Sequence, residues 1–340
     1  MAAQPLQTHP EMEGNFNTLQ VVVHNTTTET TDNASTAKPF IEAGTVEATL
    51  EDIRKYHIIP VFHRDNEPVI SQVDFIQSTM EAVKETFPAE RILSPSIRLS
   101  HPVKGRVPEA KNKPASELYE WEKTIYYERA AFIIEVASIT DSIDGQPMSL
   151  TIGGVKAHHL DNLYSKRGTD QLFKIFIGFK VQVCTNLCVW SDGYAGDVKV
   201  KSVEQLQVAI KELLRSYDAV SSLKQMEDLQ QYSLTEQQFA TLIGRCRMYQ
   251  HLPAGKRKDI PALEFHDTQI NSVCRDYYKD NSFCREDNGN INLWRLYNLF
   301  TQANKSSYID SFLDRSVNAS ELVASLANAV KHKQEHWFLS

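Results

Sequence analysis

Between Gln171 and Val183 the chain reads QLFKIFIGFKVQV, an alternation that sorts side chains onto the two faces of a strand. Phe173, Ile175, Ile177, Phe179, Val181 and Val183 share one face, which must be buried. The other carries Lys174, Phe176, Gly178, Lys180 and Gln182, cations interleaved with one ring. Ammonium groups displace counterions from phosphates, and an aromatic ring stacks on any base, so this pattern suits single-stranded DNA or RNA. Tyr164, Lys166 and Arg167 lie just upstream in NLYSKRG. The candidate nucleic-acid-binding set is therefore Tyr164, Lys166, Arg167, Lys174, Phe176 and Lys180. The same residues also fit an ordinary sheet face whose Phe176 is covered by a helix from the second half.

Other chemistry is thinner. His101 to Lys113 holds Lys104, Arg106, Lys111 and Lys113 with Glu109 as its only acid, and suits either a phosphate clamp or a solvated connector. Lys256, Arg257 and Lys258 form a third basic cluster. Cys184 and Cys188 lie four positions apart along a strand, roughly 13 Å, too far for one ion to bridge. His158 and His159 end a strand with their rings on opposite sides. Asp310 and Asp314, four apart on a helix, suit a divalent ion or a solvated helix face. No GxSxG elbow, HExxH helix or GxxxxGK[ST] loop occurs, and Ile152-Gly153-Gly154-Val155 lacks dinucleotide-loop spacing. No catalytic residue, metal ligand or cofactor is assigned. An enzyme would need dispersed groups such as His158, Asp161 and Asp192 brought together by folding.

The elements that position these residues fall into two halves. Ile58–Phe62 reads as a strand. Ser71 with Asp74 makes a capping box, opening a helix with Val73, Ile76, Met80, Val83 and Phe87 as its apolar seam and Pro88 as its stop. Pro114 begins a short helical turn, and Thr124–Ser138 reads as a strand. Asp144-Gly145 is a hairpin turn into a strand from Met148 to Ala157. The alternating strand at Gln171 must bend before Trp190, with Gly178 the natural kink and Asp192-Gly193 a closing turn.

From Ser202 the period changes to about 3.6, with Leu206, Ile210, Leu213 and Tyr217 on one face. Further helix starts fall at Thr235 with Gln238, at Asp267, and at Asn318 with Glu321. The fold class is α+β: an antiparallel sheet with packed helices, then a mostly helical half. Three regions are expected: an acidic Thr-rich tail over residues 1–45, a sheet domain over 46–200, and a helical region over 201–340 packed on it.

Composition narrows the class. The 340 residues are 41% hydrophobic and 23% charged, as an ordinary globular chain is. The net charge of -7 argues against coating nucleic acid by global charge. Much of that charge sits in the first fifty residues, where six acids face Lys38 alone. Five cysteines in a chain of this size suit a reducing compartment, and with no secretory start or apolar run of membrane length a cytoplasmic location is expected.

Several segments resemble a bacterial family, domain of unknown function 3871, itself similar to phage and plasmid-like proteins of the domain of unknown function 932 group. They are LTIGGV at Leu150–Val155, NLYSK at Asn162–Lys166, FIGF at Phe176–Phe179, the Cys184–Asn186 element, DTQINSV at Asp267–Val273 and NKSSYIDSFLDRS at Asn304–Ser316. The likeness runs from about residue 40 to the C-terminus and leaves the tail uncovered. It implies an accessory protein of mobile or phage-like elements, with protein partners there, and brings no reaction or catalytic residue. Where the family has an aromatic–polar pair this chain has His158-His159, which further weakens a metal role.

Overall fold

The computed structural model describes residues 38–56, 70–161 and 170–340. The strand expected at Ile58–Phe62 lies outside them. In chain order the sheet half contains β1 (Val46–Ala48), α1 (Leu50–Tyr56), α2 (Gln72–Thr86), β2 (Ser96–Leu99), β3 (Pro102–Arg106), β4 (Lys123–Tyr127), β5 (Arg129–Ile143), β6 (Gln146–Ala157), β7 (Gln171–Val181), β8 (Leu187–Cys188) and β9 (Tyr194–Val200). The second half contains α3 (Val203–Ser216), α4 (Ala219–Asp228), β10 (Ser233–Leu234), α5 (Glu236–Tyr249), α6 (Ala254–Arg257), α7 (Asp267–Lys279), β11 (Ile291–Asn292), α8 (Leu293–Asn304) and α9 (Ile309–His332). This is the α+β arrangement expected.

Local signals position many of these elements. The Ser71 hydroxyl accepts the Asp74 N–H at 3.0 Å, and the Asp74 carboxylate accepts the Ser71 N–H at 2.9 Å, completing the α2 capping box. The stripe that α2 buries is rotated from the expected seam and centres on Phe75, Ile76, Thr79, Ala82 and Val83. Phe75 sets that rotation, its ring 4.9 Å from those of both Phe132 and Phe173. Thr235 caps α5 as expected, and Ser202, where the period changes, caps α3. The box opening α7 begins one residue early, at His266. Asp144 and Gly145, both at positive φ, turn β5 into β6.

The main sheet is antiparallel in the order β1-β2-β5-β6-β7-β8, with β9 also on β7. The single strand expected at Thr124–Ser138 is two, divided at Glu128: β4 pairs with β3 in a separate ribbon, and β5 enters the main sheet. β7 stops at Val181, so Val183 is 66% exposed instead of buried. Gly178 is not a kink, since β6 pairs regularly through it; the register shift is between Phe173 and Ile175 on the β9 side. Gly178 admits instead the close approach of β8, where a Cβ would lie 2.4 Å from the Cys188 carbonyl oxygen. The turn at Ser191–Gly193 leads to β9 on the same edge of β7, not to a hairpin with β8.

Both faces of the sheet are covered. Phe132, Ile134, Leu150, Ile152, Phe173, Ile175, Ile177 and Phe179 join a core continuous with Leu206, Ile210, Trp294, Tyr297 and Phe338 of the helical half. On the opposite face Ala131, Ile133, Val155, Phe176, Leu187 and Val189 pack with Ile309, Phe312, Leu313 and Val317 of α9. Phe40 and Ile41 are buried there too, so packed chain begins ahead of the expected tail boundary at residue 45. Asn318 does not start a helix but sits within α9, where its amide accepts the Glu264 N–H at 2.9 Å and donates to the Ala262 carbonyl at 2.8 Å.

Candidate anion-binding cleft between the sheet and the helical half

The basic–aromatic face of β7 is not an open platform. Phe176 is 1% exposed beneath α9, because a sheet with apolar groups on both sides needs a layer on each. Lys174 donates to the Asp310 carbonyl at 2.6 Å and pairs with the Asp314 carboxylate. Lys180 pairs with Glu135, whose other oxygen accepts the Ser149 hydroxyl at 2.7 Å. Both cations are thus neutralised by adjoining carboxylates. Tyr164, Lys166 and Arg167 lie outside the described residues.

Asp310 and Asp314 do not form a solvated helix face; they join α9 to the sheet. Asp314 accepts the Tyr194 hydroxyl as well as pairing with Lys174, and burial followed by this carboxylate pushes the Tyr194 phenol far above its ordinary range. Asp310 lies 3.3 Å from His159 Nε2, while His159 Nδ1 lies 3.2 Å from Glu128. His158 turns the other way, 4.0 Å from Asp161, which holds the buried Lys156 at 2.7 and 2.8 Å. Asp192 accepts instead from Ser222 at 2.9 Å, apart from both, so the dispersed polar trio does not assemble. Among the described residues no group of three His, Cys, Asp or Glu side chains is arranged to hold a metal ion.

Beside this junction opens a cleft of about 760 Å³. Its walls come from residues 43–45, from Ser100, His101 and Val103, from Glu128 and Arg129, and from the starts of α7 and α9. Arg315 is fixed there, Nε donating to the Glu264 carbonyl at 2.9 Å and one terminal nitrogen to the Ser307 hydroxyl at 2.8 Å. Burial lowers the Arg315 pKa and raises that of the neighbouring Glu264, whose carboxylate also feels Asp314. Arg129 Nε lies 3.6 Å from the Asp310 carboxylate, and among the described residues that buried Nε finds no hydrogen-bond acceptor. His101 and His266 add imidazoles to the lining, and the N-cap Tyr308 makes no side-chain cap at α9. Among the described residues Glu128 is the lining carboxylate, and it faces His159. Two guanidiniums, from β5 and α9, line a cavity that also receives the N-terminal residues of α7 and α9, an arrangement that favours an anion.

The family model described as "Domain of unknown function, B. Theta Gene description (DUF3871)" matches residues 16–339. The chain belongs to this family. The match reaches into the segment that the resemblance left uncovered, and spans the cleft and every candidate residue. No curated protein and no solved structure matches the chain.

The sequence reading missed the cleft in this DUF3871 protein because its walls come from segments far apart in the chain. One signal was present: Asp310, Asp314 and Arg315 all fall in the NKSSYIDSFLDRS stretch that carries the resemblance. A second missed feature is the ring pair Tyr119 and Trp121 on the β3–β4 ribbon, written in sequence as YEWEK.

Proposed function

We propose that this protein is a binding component that takes an anionic group, phosphate or carboxylate, into the cleft where α7 and α9 meet the sheet. The observation that carries this is that Arg129 and Arg315 line one cavity. Titration calorimetry at low ionic strength with inorganic phosphate, adenosine monophosphate and a dicarboxylate tests it. Arg315→Gln is expected to weaken binding about tenfold or more, since a charge-assisted hydrogen bond contributes about 1.5–3 kcal/mol. Absence of heat with all three anions, or equal affinity in the variant, rejects the cleft.

Single-stranded nucleic acid stays within this proposal as a polyanion. Use of Lys174, Phe176 and Lys180 would require α9 to leave the sheet, since Phe176 lies beneath it. That covering favours, as the second proposal, a protein-interaction or assembly role, tested by whether the purified chain forms a homogeneous oligomer without affinity for nucleic acid. The mobile-element role and kinship to the 932 group rest on the sequence resemblance. A cytoplasmic location is proposed from five free thiols, and among the described residues no helix is long and apolar enough to cross a membrane.

A further inference from the structure

The β3–β4 ribbon carries the most exposed large ring among the described residues. Five residue pairs, from Pro102↔Tyr127 to Arg106↔Lys123, zip the two strands apart from the main sheet. The connection between them returns through short turns at Pro108–Ala110, Ala115–Glu117 and Glu120–Glu122. Within it the rings of Tyr119 and Trp121 stack with centroids 4.5 Å apart and planes 8° from parallel. The Lys113 ammonium covers the Tyr119 ring at 4.7 Å, and is itself anchored to Glu122 at 2.5 Å. Tyr119 thus contacts both the Lys113 cation and the indole, and Trp121 is 74% exposed.

An exposed indole already held in a stacked pair offers its ring to a flat partner without further ordering of the side chain. Charge along the 104–123 segment that carries the stack narrows the occupant. Glu122 and Glu120 are engaged by Lys113 and Lys123, which leaves Lys104, Arg106 and Lys111 against Glu109 and Glu117. A small positive surplus beside an open ring face suits a planar base joined to a phosphate. It suits an uncharged sugar ring or an acidic peptide less well.

We propose that the Trp121 face, backed by Tyr119 and Lys113, is a stacking platform for a base of single-stranded nucleic acid, with Lys104 and Lys111 toward its phosphates. This surface stands independently of the cleft, although Val103 of β3 also lines that cavity.

The probe is a 15-residue oligothymidylate, followed by anisotropy of its label and by tryptophan emission of the full chain. Trp190 and Trp294 are buried and Trp337 partly so, so quenching on binding should come mainly from Trp121. Trp121→Ala is expected to weaken binding at least tenfold with an unchanged circular dichroism spectrum, and Trp121→Phe to recover most of the loss. Lys104→Gln with Lys111→Gln should flatten the dependence of affinity on salt. Trp121→Ala should leave the binding of inorganic phosphate by the cleft, whose lining Trp121 does not join, unchanged, which separates the platform from the cleft. Failure of the wild-type chain to bind at about 50 mM salt, or equal binding by Trp121→Ala, overturns the proposal. So does a protein or glycan that competes at Trp121 while the oligonucleotide does not bind.

Discussion

Lys305 ends α8 with its ammonium inside the fold, donating to the Cys184 carbonyl and, at 3.0 Å, to the Thr185 hydroxyl. It is 1% exposed, and no carboxylate contacts it among the described residues. Burial therefore brings its pKa down from 10.5 to about 8. Between those values the unfolded chain holds the proton and the folded chain releases it, so stability rises with pH through this window. Below about 8 both states are protonated and the slope vanishes. Burial raises the Cys184 thiol, which acts in the opposite sense above its ordinary value of 9.0, so the lysine is read between pH 8 and 9. Urea unfolding there should show a gain of up to about 1 kcal/mol per pH unit, absent in Lys305→Met. Equal slopes in the two proteins would refute it. Lys156 is the contrast: equally buried, it has Asp161 on its ammonium and the Phe173 ring 4.2 Å away.

At the scale of elements, α9 determines what the second face of β7 becomes. Phe176 on an open sheet would tolerate truncation, within about 0.5 kcal/mol. Beneath α9, packed with Ile309, Phe312 and Leu313, Phe176→Ala should cost about 3–5 kcal/mol of unfolding free energy in urea. A loss near zero would mean that the helix does not close over the sheet in solution. The inward face of β7 was legible because alternation alone dictates it, and the boxes at Ser71 and Thr235 because caps are local. What lies over the outward face was not legible. A helix that begins some 130 residues later decides it, and an aromatic at position 176 reads alike under water or under α9. Lys174 and Lys180 misled for the same reason, since their partners Asp314 and Glu135 come from other elements. Asn318 misled by composition: Asn and Glu three apart imitate a cap, while the amide in fact ties the 262–264 segment to mid-helix.

Over the whole molecule, one apolar core runs from Ile53 and Phe75 through the sheet strands to Trp294 and Phe338. Trp190 of the sheet half and Tyr297 of α8 sit 6.2 Å apart within it. Halves joined in this way should unfold together, so far-ultraviolet circular dichroism and tryptophan fluorescence should give coincident urea transitions. Two separated midpoints would show instead that the halves fold independently.

The cleft takes one rim from residues 43–45, 100–103 and 128–129 and the other from 266–269 and 306–315. Neither rim encloses the cavity by itself. Cutting the polypeptide anywhere between them yields two pieces, each carrying about half of the lining, and the cavity re-forms only when the pieces reassociate. Ligand occupancy would then act as a clasp across the seam, tightening the union of the halves in proportion to its own affinity.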